Sequence, residues 1–363
     1  MKTGRTDLPL HGGRAPAWLF QRMRRLAREL VRLMVEEYGP DFVLARLSDP
    51  HWFQTLGCVL GFDWHSSGVT TTVCGAIKEG LRDLGPGIGL FAAGGKGGTS
   101  RKAPEEIMRS CDHCGADGDA LVRASRMSAK VDSAALQDGY RIYAHSFFFT
   151  AEGRWTVVQQ GMNQEQRQAR RYHWISNGLS SFVEEPHAAV CSDQRGSPVA
   201  LNMVAAESSG AREASAEAAC LEPDKLFRKL EPYLFMPRRH DIRVEQDIDP
   251  KHLSKILVST YEDQPQNYED LLGIRGVGPK TVRALALISE LVFERPASTR
   301  DPARFSFAHG GKDGFPYPVD RETYDRSIEV LSGMLGRAAL DRSDRKKAFS
   351  RLDLLRRQAV KET

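Results

Sequence analysis

The sequence predicts an α+β protein, with a mixed α/β N-terminal part that carries a β-hairpin and a mainly helical part behind it. Three observations carry this. Apolar residues recur at helical spacing near both ends of the chain, and aromatic and β-branched runs cluster between residues 142 and 161. The third is "LLGIRGVGPKTVRALALISELVF", Leu271 to Phe293, which reads as two helices pinched around a glycine turn.

The first element, "APAWLFQRMRRLARELVRLMVEEYGP", places Leu19, Met23, Leu26, Leu30 and Leu33 on one helical face and stops at Gly39-Pro40. Arg22, Arg25, Arg28 and Arg32 form a stripe beside that face, which is a solvated surface or a phosphate-facing one. A second helix is expected from a Ser66 or Ser67 cap to about Leu84. A short strand, "GIGLFAAGG", then enters "GGKGGTSRKAPEEI", where Lys96, Arg101 and the glycines suggest a phosphate cradle ahead of a helix from Pro104. In the hairpin, "IYAHSFFFT" and "RWTVVQQG" are joined by "AEG". Pairing Phe149 with Trp155 sets His145 opposite Gln159 and puts Phe147 and Val157 on their face. His145 is read first as a packed histidine and second as a catalyst.

Directly after it, "NQEQRQARRYHW" interleaves Arg170 and Arg171 with Tyr172, His173 and Trp174, the cations and flat rings of a nucleic-acid groove. Small polar residues at 205–221 read as a flexible linker or insertion. It separates a front part, 1–204, from a helical part, 222–363.

At 363 residues the chain holds more than one core's worth of sequence, with 41% hydrophobic and 27% charged residues. A net charge of +4 permits a polyanionic partner without requiring one. The opening "MKTGRTDLPLHGG" lacks a signal-peptide apolar run, and no stretch is long enough to span a bilayer, so a cytoplasmic protein without membrane contact is expected. The six cysteines read as free thiols. Cys111 and Cys114 form a CxxC with no second pair to complete a zinc site, so neither metal nor cofactor is expected.

In the glycine turn, Gly276 and Gly278 can take positive φ, and Pro279 suits the first position of the second helix. The backbone N–H groups around Lys280 and Thr281 would then face outward as a phosphate site that reads no sequence. "LLGIRGVGPKT" resembles the helix-hairpin-helix motif of DNA repair and recombination proteins. More narrowly, it is similar to the base-excision DNA glycosylases built on that motif. The resemblance implies that Lys280 attacks the sugar C1′ and that an aspartate in a "PVD" context, here Asp320 in "YPVDRETYDRSIEVL", assists. Asp301 competes for that role. The intervening "ERPASTRDPARFSFAHGGKDGFPY" adds His309, Lys312 and Asp313 as secondary candidates. The lysine needs a lowered pKa to act as a nucleophile. The whole chain also resembles a conserved family of unknown function, through "LPLHGGRAPAWLF", "FDWHSSGVTTT", "GGKGGTSRKAPEEI", "QQGMNQEQRQARRYHW" and "FSFAHGGKDGFPYPVD".

The leading expectation is therefore a DNA-repair glycosylase, with or without lyase activity, whose partner is DNA or RNA. The alternative is a metal-dependent nuclease with its site in the front part, drawn from Asp63, His65, His145, His173, Glu184, Glu185 and His187. A third reading is a nucleic-acid-binding protein without chemistry, in which Lys280 only contacts phosphate.

Overall fold

The structure is a computed structural model. It describes residues 15–62, 68–165, 167–192, 200–226, 228, 250–303 and 321–361, and all that follows is confined to these. Asp63, His65, His309, Lys312, Asp313 and Asp320 lie outside them.

The chain opens with α1 (Ala17–Tyr38), α2 (Pro40–Ser48), α3 (Pro50–Leu60) and α4 (Gly68–Leu81). α1 buries Met23, Leu26, Leu30 and Met34 along one face, and Gly39 at φ +82° turns the chain into α2. The arginine stripe is largely paired: Arg32 donates to Glu36 (2.6 Å) and Glu29 (3.2 Å), and Arg22 lies 3.5 Å from Asp344. A short turn of helix, α5 (Gly85–Ile88), leads into β1 (Leu90–Lys96). A 3-10 turn, Gly97–Lys102, then runs into α6 (Ala103–Cys114), and α7 (Gly118–Lys130) ends in a π-helical turn at Val131–Ala135.

Strands β3 (Arg141–Thr150) and β4 (Trp155–Asn163) form the expected hairpin, with Phe149 opposite Trp155, Phe147 opposite Val157 and His145 opposite Gln159. β5 (Gln168–Ile175) and β6 (Ala189–Cys191) complete an antiparallel sheet of order β1-β3-β4-β5-β6. β2 (Leu136–Gln137) pairs separately with β7 (Leu201–Asn202).

The period-two alternation of the strands sorts their side chains between two cores. Phe148 and Val158 join α1 to α4 on one face, together with residues of α12 (Arg321–Arg337) and α13 (Arg342–Lys361). Phe147, Phe149, Trp155, Val157, Tyr172 and Trp174 face the other core, with α6, α7 and the helices α8 (Ser209–Ala219), α9 (Pro250–Asp263), α10 (Tyr268–Gly273) and α11 (Pro279–Phe293). The protein is thus a mixed α+β fold, with one antiparallel sheet covered by helices on both faces.

Residues 205–221 correct the linker expectation. Most of this stretch is α8, whose Ala211, Ala214, Ser215, Ala218 and Ala219 are buried, and α8 packs on α11. Small side chains let the two helices approach closely.

Candidate functional site

α10 and α11 meet as the sequence suggests. Asn267 caps α10 by accepting from the Asp270 N–H (2.9 Å), and the turn Ile274–Gly278 carries Gly276 at φ +99°. Only Gly278, as N-cap, and Pro279, at the first helical position, separate that turn from the body of α11. Gly278 is extended, so of the two turn glycines only Gly276 needs the left-handed region. The Gly278 N–H donates to Thr281 Oγ1 (3.4 Å), which makes Thr281 a buried structural cap. Val282, Leu285 and Ile288 anchor α11 in the core.

The turn is held from outside as well. Lys130 donates to the Ile274 carbonyl (2.7 Å), Gln137 donates to the Pro279 carbonyl (2.8 Å), and Arg283 donates to Gln137 Oε1 (2.9 Å). Arg275 and Lys280 are both exposed, and neither has a carboxylate partner among the described residues. The result is a rigid hairpin with two open cations beside the positive end of a helix of 15 residues. The alternative acid, Asp301, is committed elsewhere: it accepts from Arg170 NH1 (3.0 Å) and NH2 (2.8 Å).

Arg170, Arg171, Tyr172 and Trp174 do not form a groove. This expectation is corrected by β5, an interior strand on which all four are buried. Arg170 lies between Asp138 (2.7 Å) and Asp301, over the Tyr140 ring at 4.4 Å. Burial alone would weaken its charge, but the two carboxylates outweigh burial and raise its pKa. Tyr172 donates to Asp138 (2.7 Å) and Trp174 to Asp132 (2.9 Å). On the other face, Arg171 stacks on Phe53 at 4.7 Å and donates to Gln54 (3.1 Å).

His145 is a packed residue. It contacts Ser125 Oγ through Nε2 (2.8 Å) and Gln159 Oε1 through Nδ1 (3.0 Å), and burial lowers its pKa to about 4. Gln159 and His187 both reach the buried Asp132 at 2.5 Å. His173 lies on the opposite face of the sheet, against the Leu47 carbonyl (2.9 Å). The nuclease candidates are therefore split across the sheet, and among the described residues no three His, Cys, Asp or Glu side chains gather as a metal site. Asp132 and Asp138 escaped sequence reasoning, although each is the hub of a buried network. The only local signal was two carboxylates in "VDSAALQDGY" beside a strand rich in cations and rings.

Lys96 and Arg101 of the glycine-rich loop are exposed. The CxxC lies in the last turn of α6, with Cys111 buried and its thiol pushed up to about 11 by burial and by its neighbour Cys114. Lys96 borders a cavity of about 1310 Å³ between α1, α4 and the β1–β3 edge. No helix among the described residues is long and apolar enough to cross a membrane.

The model of the family described as protein of unknown function (DUF763) matches residues 4–319, and the chain belongs to that family. No curated protein and no solved structure matches it.

Proposed function

We propose that this member of the DUF763 family is a DNA-binding protein of the repair type, which grips the phosphate backbone through the α10–α11 hairpin. The observation that carries the reading is the hairpin's geometry. Gly276 turns the chain tightly, the N-terminus of α11 is exposed, and Arg275 and Lys280 stand beside it without carboxylate partners among the described residues. Such a site binds phosphate by charge and by backbone N–H groups and contains nothing that reads a base. Fluorescence anisotropy on duplexes of unrelated sequence tests it. Affinity should be similar across the duplexes, and Arg275→Gln/Lys280→Gln should weaken all of them by a similar factor, about tenfold or more. Strong preference for one sequence, or an unchanged variant, would contradict it.

A second reading makes the protein a glycosylase with lyase activity, Lys280 attacking the sugar C1′ and Asp320 acting as the acid. It is supported by the resemblance of "LLGIRGVGPKT" and by the open approach to the Lys280 amine. Borohydride trapping on oligonucleotides with abasic, oxidised, deaminated and alkylated sites separates the two. A covalent adduct lost in Lys280→Gln makes the lysine a nucleophile. Binding without any adduct leaves it a phosphate contact.

A further inference from the structure

The cavity beside the glycine-rich loop is not used by the hairpin. Its walls come from α1, α4, β1 and β3, and they include Phe148 of the core that α11 does not enter. The two places therefore lie on opposite faces of the sheet.

Charge is the first argument. Arg24, Lys78 and Lys96 line the cavity. Lys78 is neutralised by Glu106 (2.6 Å), while Arg24 and Lys96 have no carboxylate partner among the described residues. Glu79, the one carboxylate among the described lining residues, accepts from Arg82 (2.8 Å). The lining thus carries uncompensated positive charge along a partly open cleft, which favours an anion.

The second argument is a break in the sheet. Ile142 is opposite Gly161 and Ala144 is opposite Gln160, so Tyr143 is the extra residue of a β-bulge. A bulge re-aims a side chain, and here the Tyr143 ring lines the cavity with Lys96 Nζ 5.8 Å from its centroid. The Tyr143 hydroxyl has no hydrogen-bond partner among the described residues. Burial pushes its pKa up to about 12, so it remains a donor.

The loop glycines are the third. Gly94 is required by the fold, since a Cβ there would lie 2.2 Å from the His145 carbonyl. Gly95, which lines the cavity next to Lys96, sits at φ +143°, a backbone conformation that side chains rarely adopt. A bare backbone there leaves room for a ligand beside the Thr99 side chain, which lines the same wall. Phe20, Phe62 and Phe148 supply an apolar wall for a ring.

We propose that this cavity binds an organic phosphate with an aromatic body, of the nucleoside-monophosphate class. Lys96, the Tyr143 hydroxyl and the Thr99 hydroxyl take the phosphate, and the phenylalanine wall takes the ring. The assignment does not depend on DNA binding at the hairpin. Isothermal titration of the full chain with adenosine 5′-monophosphate, inorganic phosphate and adenosine tests it, with thermal unfolding as a check on folding. The nucleotide should bind, and phosphate and adenosine should each bind about tenfold or more weakly, because each lacks one half of the contacts. Lys96→Gln should weaken the nucleotide about tenfold and Tyr143→Phe about fivefold at unchanged Tm. No nucleotide binding up to about 10 mM overturns the proposal. So does wild-type binding by both cavity variants, or phosphate binding as tight as the nucleotide's.

Discussion

His145 holds Ser125 and Gln159 with its two ring nitrogens, and it is burial rather than these partners that disfavours a second ring proton. Burial lowers its pKa from 6.5 to about 4, and burial also lowers that of His173 on the opposite face. Between those two pH values the unfolded chain holds a proton at His145 that the native protein lacks. Stability is therefore full above about pH 6.5 and falls as pH drops towards 4, by about 3 kcal/mol from His145 alone. Urea midpoints measured from pH 7.5 down to 4.5 should fall, and His145→Gln should lower the neutral-pH midpoint while flattening the slope. Asp301 gives a second test at this scale. Paired with the buried Arg170, its replacement by Asn should cost about 2–4 kcal/mol in denaturant unfolding. A solvated aspartate would change stability by less than about 0.5 kcal/mol.

Among the elements, α8 shows where sequence reasoning stopped short. "AAESSGAREASAEAAC" contains no large apolar side chain, and so it looks solvated. Alanine is nevertheless the best helix former, and here its small side chain is what permits contact with α11. Arg212 is buried, and its guanidinium donates to the Met203 and Ala205 carbonyls (2.9 and 2.7 Å). Native-state trypsin should therefore spare Arg212, whereas a linker would be cut there first. The β3–β4 hairpin was legible down to its register, because alternation and the "AEG" turn are local signals. β5 was not, because the partners that bury Arg170, Tyr172 and Trp174 come from Asp132, Asp138 and Asp301, far away in sequence. The hairpin turn itself was legible in its glycines, and it makes a further prediction. A Cβ on Gly276 would meet nothing within 4 Å, so Gly276→Ala carries only the cost of its φ of +99°, about 1 kcal/mol, together with weaker DNA binding.

Across the whole molecule, the sheet separates two surfaces with different chemistry. One bears the hairpin with its two open cations, and the other bears the cavity beside the glycine-rich loop. Neither was placed relative to the other by the sequence, since which face a helix covers depends on strand alternation and on contacts between distant elements. Counterion release tests the proposed grip of the hairpin on DNA directly. DNA affinity of the full chain would be followed by anisotropy on one duplex at several salt concentrations, for wild type and for Arg275→Gln/Lys280→Gln. Wild-type affinity should fall linearly on logarithmic axes, and the variant's slope should be shallower by about 2, since two phosphate contacts are lost. Equal slopes and affinities for the two proteins would contradict the hairpin's assignment as the DNA grip.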